Sequence, residues 1–175
     1  MPNASPRARA AARAPAASPP PTPAFLKRFF RRDRFAAGAG IRLVEAGPGR
    51  AVARMTLRQG HLNGVDVVQG GAVFTLADFA FAVACNTAGP VALAIDVTIS
   101  FLSATRRGTL TATAVEVARS SRLSRVEVEV LDAAGARVAL FHGTAYVTRD
   151  SLAGVAARAA ARARAPARRK VPRHG

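Results

Sequence analysis

The stretch "HLNGVDVVQGGAVFTLADFAFAVACN", residues 61–86, decides the fold. After Gly71 the chain is almost wholly apolar as far as Cys85, which is long enough for a helix of four turns. The sequence Ala88-Gly89-Pro90 ends that helix. A helix that is apolar on every side must be covered on every side, so we expect it to lie at the centre of the domain.

Patterns typical of β-strands surround this helix. Before it, residues 41–57 flank the turn "GPG" and indicate a hairpin. After it, four segments alternate with a two-residue period: 95–101, 108–117, 125–132 and 136–147. Because short turns join them, we expect an antiparallel four-strand meander. One sheet curled around the helix leaves part of it uncovered, and a second subunit can cover the rest.

The ends of the chain differ from the middle in composition. The net charge is +16, but residues 35–149 contribute only +3 of it. Residues 1–23 and 150–175 are rich in Ala, Arg and Pro, and we interpret them as disordered tails around a domain at 24–149. The N-terminal tail is compatible with an organelle transit peptide or with simple compositional bias. Binding of nucleic acid through the tails is a weaker alternative.

Two further features limit the possible functions. Apolar residues between Phe25 and Phe35 have helical spacing with a basic opposite face, which suits either a membrane-surface helix or a helix packed on the domain; we favour packing. The single cysteine, Cys85, excludes an intramolecular disulfide and a cysteine-based metal site. We expect a cytoplasmic protein with no metal and no cofactor.

Asp78 is the unusual residue of the central helix. An ionised carboxylate there is costly unless it is paired, and Thr75 is its only polar neighbour within one helix turn. It is either a structural aspartate satisfied across an interface or a desolvated base or nucleophile. The loop residue His61 either approaches the mouth of a pocket beside this helix or is exposed, and we favour exposure.

The glycine pair before the helix favours the chemical interpretation. Gly70 and Gly71 lie at the helix N-terminus, where backbone N–H groups are unsatisfied and point outward. Glycine lets a ligand atom approach the backbone closely, and such a donor can hold a developing oxyanion. A carboxylate and an oxyanion donor together predict hydrolysis of an activated acyl group.

These residues resemble a known family. The quoted stretch, with "TISFL" and "VALFHG" downstream, is similar to the hotdog-fold acyl-CoA thioesterases of the phenylacetate-degradation (PaaI) type. That family has an asparagine, a short glycine-containing loop, His-Gly-Gly, and an aspartate eight residues after the first glycine. The resemblance covers about residues 38–148 and implies an α+β hotdog fold, an antiparallel sheet wrapped around one long helix.

The resemblance also implies roles for individual residues. Asp78 would act as nucleophile or general base, the Gly70 N–H would polarise the thioester carbonyl, and Asn63 would orient substrate or water. The family's site lies between two subunits, usually in a dimer of dimers. Two positions depart from its pattern: Gln69 replaces the histidine before the glycine pair, and Asp66 stands where glycine is common.

Coenzyme A is anionic, so we expect basic residues to bind its phosphates. The family binds it through the hairpin that corresponds to "ARSSRLSR", which offers candidate ligands together with Gly71: Arg119, Ser120, Ser121 and Arg122. A solvated turn with incidental charge is the alternative. Phe74, Phe79 and Phe81 are expected mainly in the core, with lining of an aromatic pocket as the alternative.

The residues and the resemblance together therefore predict hydrolysis of acyl-CoA to a free acid and CoA. The resemblance implies phenylacetyl-CoA or hydroxyphenylacetyl-CoA as the substrate, and medium-chain acyl-CoA is equally compatible with the sequence. A hotdog module that binds acyl-CoA or fatty acid without catalysis is the alternative function. A homodimer or a homotetramer is the expected assembly.

Overall fold

The computed structural model describes residues 19–164. Its helices are α1 (Pro23–Phe30), α2 (Arg34–Gly38), α3 (Gly70–Asn86) and α4 (Leu152–Arg164), with a 3-10 helix at Gln59–His61. Its strands are β1 (Ile41–Gly47), β2 (Arg50–Thr56), β3 (Pro90–Phe101), β4 (Thr109–Arg119), β5 (Leu123–Leu131) and β6 (Arg137–Ser151).

Helix α3 is the centre of the core, as expected. It packs against the β2, β4, β5 and β3 strands of a six-stranded antiparallel sheet that wraps around it. Most of its side chains are buried, among them Leu76, Phe81 and Val83. Because the core consists of one apolar helix and the inner face of one sheet, the architecture is α+β.

The strand order differs from the expected meander. The order is β1-β2-β4-β5-β6-β3, so β3 pairs with β6 and lies at an edge of the sheet. The reason is the link from β3 to β4, which is too long for a tight turn. It runs past the loop before α3, where Val68 donates a backbone hydrogen bond to Thr105, and the Leu57 N–H bonds to the Gly108 carbonyl as β4 joins β2.

The N-terminal helical segment is packed on the domain, as we favoured. Leu26 is 1% exposed, and the ring of Phe30 contacts that of Phe79 edge-on, 5.9 Å between centroids. The single helix suggested by the spacing is divided in two, because Asp33 accepts a hydrogen bond from Ala36 and begins a new helix.

The C-terminal end differs from the expected disorder. Helix α4 follows β6 directly and is anchored by the buried Leu152. Alanine, the strongest helix former, is the most frequent residue along it. The remaining parts of the two predicted tails, residues 1–18 and 165–175, lie outside the described residues.

Candidate active site

A cavity of about 950 Å³ lies beside the N-terminal half of α3. One wall is a face of that helix, formed by Gly71, Thr75 and Asp78, which are spaced so that they lie above one another. The opposite walls come from α2 and from residues 58–62, which include the 3-10 helix. Three segments distant in sequence therefore border the open cavity beside the carboxylate that the sequence singled out.

Asp78 is half-buried and has no hydrogen-bond donor from residues 19–164. The hydroxyl of Thr75 donates 2.7 Å to the Gly71 carbonyl instead. Burial raises the pKa of Asp78, and repulsion from the carboxylate of Asp33 raises it further. A desolvated carboxylate without donors is a stronger base and nucleophile than a solvated one.

The start of α3 is organised by Gln69. It is the N-cap residue, and its side-chain oxygen accepts a hydrogen bond from the Gly71 N–H. The Gly70 N–H donates to no group in the described part of the chain. The Gly70 N–H, which is the donor predicted to polarise a carbonyl, therefore has no partner among residues 19–164. The Gly71 N–H instead donates to Gln69, the residue that replaces the family's histidine.

Asn63 holds the loop before α3 in shape. Its side-chain oxygen accepts hydrogen bonds from the N–H groups of Val65 (3.0 Å) and Val67 (3.3 Å). Asp66, which replaces a common glycine, has a φ of 57°. That left-handed conformation is one that aspartate tolerates better than most residues, so the loop keeps the backbone geometry that glycine favours.

Within one protomer the predicted catalytic residues are only partly assembled. Asp78, Gln69 and Gly71 line the same cavity, whereas Asn63 and Gly70 are outside its lining. Gly70 instead lies under the ring of Phe101 at the end of β3: a Cβ on Gly70 would be 3.1 Å from that ring.

The cavity also contains side chains that sequence reasoning missed. These are Phe35 of α2 and Arg58; His61, whose approach to the pocket was the less favoured alternative, lines it too. The expectation that His61 is exposed was wrong, since it is 6% exposed, its Nδ1 accepts the Arg58 N–H, and its buried Nε2 lacks a partner among the described residues. No local pattern marks Phe35 or Arg58, because only the approach of α2 to the loop brings them to the cavity of Asp78.

The predicted CoA-binding hairpin lies at the other end of α3. Arg119 pairs with Glu116 at 2.8 Å and donates to the carbonyl of Cys85 near the C-terminus of the helix. Ser120 accepts hydrogen bonds from the N–H groups of Arg122 and Leu123 and shapes the turn. Ser121 and Arg122 are exposed.

The three phenylalanines of α3 divide between the two environments. Phe74 lines the cavity, whereas Phe79 and Phe81 are buried in the core, where Phe81 packs on Phe141. Burial raises the pKa of the Cys85 thiol to about 12, as fits a side chain that packs as a small apolar group.

Neither a membrane helix nor a metal cluster is found in the part of the chain that the structure describes. None of the helices within residues 19–164 is long and apolar enough to cross a bilayer. The same residues contain no group of three or more His, Cys, Asp or Glu side chains placed to hold a metal ion.

Comparison with known proteins identifies the family. The family model of the thioesterase superfamily matches residues 66–139. The acyl-coenzyme A thioesterase PaaI of Escherichia coli is 36% identical over 128 residues, 73% of this chain and 91% of that protein. A putative esterase of Archaeoglobus fulgidus is 36% identical over 118 residues, 67% of this chain and 77% of that protein.

Solved structures agree with these relatives. The structure of E. coli PaaI has a TM-score of 0.69 at 35% identity and covers 71% of this chain and 91% of that one. A mutant of the phenylacetic acid degradation protein PaaI from Thermus thermophilus has a TM-score of 0.62 at 36% identity, covering 65% and 98%. The predicted hotdog fold and family are confirmed, and the chain belongs to the thioesterase superfamily.

Proposed function

We propose that this protein hydrolyses acyl-CoA thioesters to a carboxylic acid and free CoA, with Asp78 as the catalytic carboxylate. The observation that carries the proposal is the position of Asp78: a half-buried carboxylate without hydrogen-bond donors from the described residues, in the wall of a cavity large enough for an acyl group. The name of the E. coli relative, an acyl-coenzyme A thioesterase, supports the choice of substrate class.

Two routes use the same carboxylate. As a general base, Asp78 takes a proton from water while the water oxygen bonds to the thioester carbon; the C–S bond then breaks and the sulfur leaves as a thiol with a proton. As a nucleophile, its oxygen displaces the thiolate to give a mixed anhydride that water hydrolyses. In either route the free Gly70 N–H stabilises the oxyanion, assisted by the positive end of the α3 dipole.

A second subunit completes the site in this proposal. Strand β3 has one neighbour in the sheet, so the backbone groups of its other edge are free for pairing. It exposes Leu93, Ile95 (61% exposed) and Phe101. Antiparallel pairing of two β3 edges would bury these apolar groups symmetrically. Phe101, which covers Gly70, brings this glycine close to the same edge. As the family resemblance implies, Gly70 and Asn63 of one copy would then lie near Asp78 of the other.

Substrate binding and location extend the proposal. The exposed Arg122 and Ser121 are the better placed of the hairpin residues to bind CoA phosphates, because Arg119 and Ser120 are engaged internally. A dimer of dimers is the proposed assembly. A cytoplasmic location suits the one cysteine, which is free and buried.

The experiment is thiol release from a panel of acyl-CoA thioesters by the wild type and the Asp78→Asn variant. We expect kcat to fall about 10²- to 10⁴-fold in the variant, the contribution typical of a positioned general acid or base. The control is Asp150→Asn, the same change at an exposed carboxylate paired with Arg158, which should leave kcat unchanged.

The outcomes separate catalysis from binding alone. Full activity of Asp78→Asn, with the wild-type oligomer size, would remove Asp78 from the mechanism. Absence of turnover by the wild type, with acyl-CoA bound in calorimetry, would establish a non-catalytic binding module instead.

A further inference from the structure

Phe35 is the most exposed large apolar side chain among the described residues, at 76%. It lies on α2, a five-residue helix capped by Asp33 and anchored to the core by its neighbour Ala36, which is 2% exposed. The helix is therefore held in place without help from the phenylalanine ring. Packing within the protomer gives no reason for an aromatic residue at this position.

The ring belongs to the wall of the cavity that contains Asp78. Across the cavity lies Phe74 of α3, and Leu62, Ala39 and Ala72 add further apolar surface. An attacking oxygen must come within about 3–3.5 Å of the thioester carbon, which puts that carbon, with the first atoms of the acyl group and of the thiol bonded to it, beside this cavity. Of the two, the acyl group is the apolar one that suits these walls.

We propose that Phe35 determines acyl-group selectivity: its ring forms the outer wall of the acyl pocket and favours bulky apolar acyl groups over short ones. This inference rests on the proposed function and deepens it. On this inference the ring contacts a hexanoyl or phenylacetyl group, which extends several carbon atoms beyond the thioester carbon, and not an acetyl group, which has only one. The selectivity comes from α2, a segment outside the residues 66–139 that match the thioesterase family model.

The test compares acetyl-CoA, hexanoyl-CoA and phenylacetyl-CoA as substrates of the wild type, Phe35→Ala and Phe35→Leu. We expect kcat/KM of Phe35→Ala to fall roughly 10- to 100-fold for the two larger groups, the range for lost apolar contacts in a pocket, and to stay within about twofold for acetyl-CoA. Phe35→Leu should be intermediate. Tm should not change, because the ring is exposed in the folded protomer.

Val44→Ala is the matched control, since Val44 is an exposed apolar residue of β1 that does not line the cavity. An equal fall for all three substrates, or no fall for any, would overturn the inference. A change in oligomer size with Phe35→Ala would overturn it as well, because it would assign the ring to a subunit contact.

The failure of this inference is distinguishable from failure of the proposed function. If the wild type hydrolyses none of the three thioesters, the proposed function fails, and the same comparison is then made with calorimetric Kd values. A loss of affinity confined to the two larger acyl groups would still support selectivity by Phe35. Equal Kd changes for all three would reject it.

Discussion

The carboxylate of Asp33, which begins α2, repels the carboxylate of Asp78 in the middle of α3. Burial is the larger cause of the raised pKa of Asp78, and the charge of Asp33 adds to it. Asp33 is held in place by its hydrogen bond from the Ala36 N–H, 3.0 Å long. A surface helix thus acts electrostatically on the candidate catalytic group.

This relationship predicts a shift in the pH dependence of activity. Asp33→Asn removes the repulsion while keeping a side chain that caps helices well, so the pKa of Asp78 should fall. The candidate catalytic carboxylate is then ionised down to a lower pH, and the acidic limb of the kcat/KM profile should move to lower pH. An unchanged limb, with Asp150→Asn as the neutral comparison, would contradict the relationship.

The raised pKa of Asp78 also predicts a stability effect. The pKa of Asp78 in the folded protein lies above 3.8, its value in the unfolded chain. Its contribution to the free energy of unfolding is therefore fully present below pH 3.8 and is lost as the pH rises through the folded-state pKa. Asp78→Asn should therefore raise Tm by a few degrees at pH 7. This gain in Tm should shrink as the pH approaches 4, and calorimetry between pH 4 and 7 measures it. A gain in Tm that does not depend on pH would argue against desolvation of Asp78 as its cause.

Gln69 should matter for the start of α3. Gln69→Ala removes the acceptor of the Gly71 N–H and should cost about 1 kcal/mol of unfolding free energy, the usual value of an N-cap. Because the free Gly70 N–H lies in the same turn, kcat should fall as well, by roughly 10-fold (about 1.4 kcal/mol). Denaturant unfolding and steady-state kinetics measure the two effects.

Gln69→Glu is the control for this pair of effects, because it keeps a side-chain oxygen at the cap. We expect its unfolding free energy to match that of the wild type. Equal stability of the alanine variant would show that the helix does not need this cap.

The two arginines of the β4–β5 hairpin should have different roles. Arg119→Gln breaks the contacts to Glu116 and to the Cys85 carbonyl, and should cost about 1 kcal/mol of stability with little change in KM. Arg122→Gln should leave stability unchanged and raise KM several-fold, with the larger effect at low salt. The reverse assignment would follow if Arg119→Gln raised KM and left Tm unchanged.

The sequence by itself determined the central helix, the strand segments and the candidate chemistry, but neither the division between α1 and α2 nor the helix α4. The apolar run before Cys85 predicts α3, the two-residue periods predict the strands, and Asp78 stands out because a carboxylate on a buried helix needs a reason. These features depend on residues close in the chain, since helix and strand periodicity are local properties.

Tertiary structure alone decided the strand order and the composition of the pocket. Strand β3 pairs with β6, and Phe35, Arg58 and His61 reach the cavity of Asp78, through contacts between segments far apart in sequence. The repulsion between Asp33 and Asp78 has the same origin, because 45 positions separate them in the chain and only packing of α2 beside α3 brings them together. Contacts of this kind depend on how whole elements pack, which no local pattern encodes.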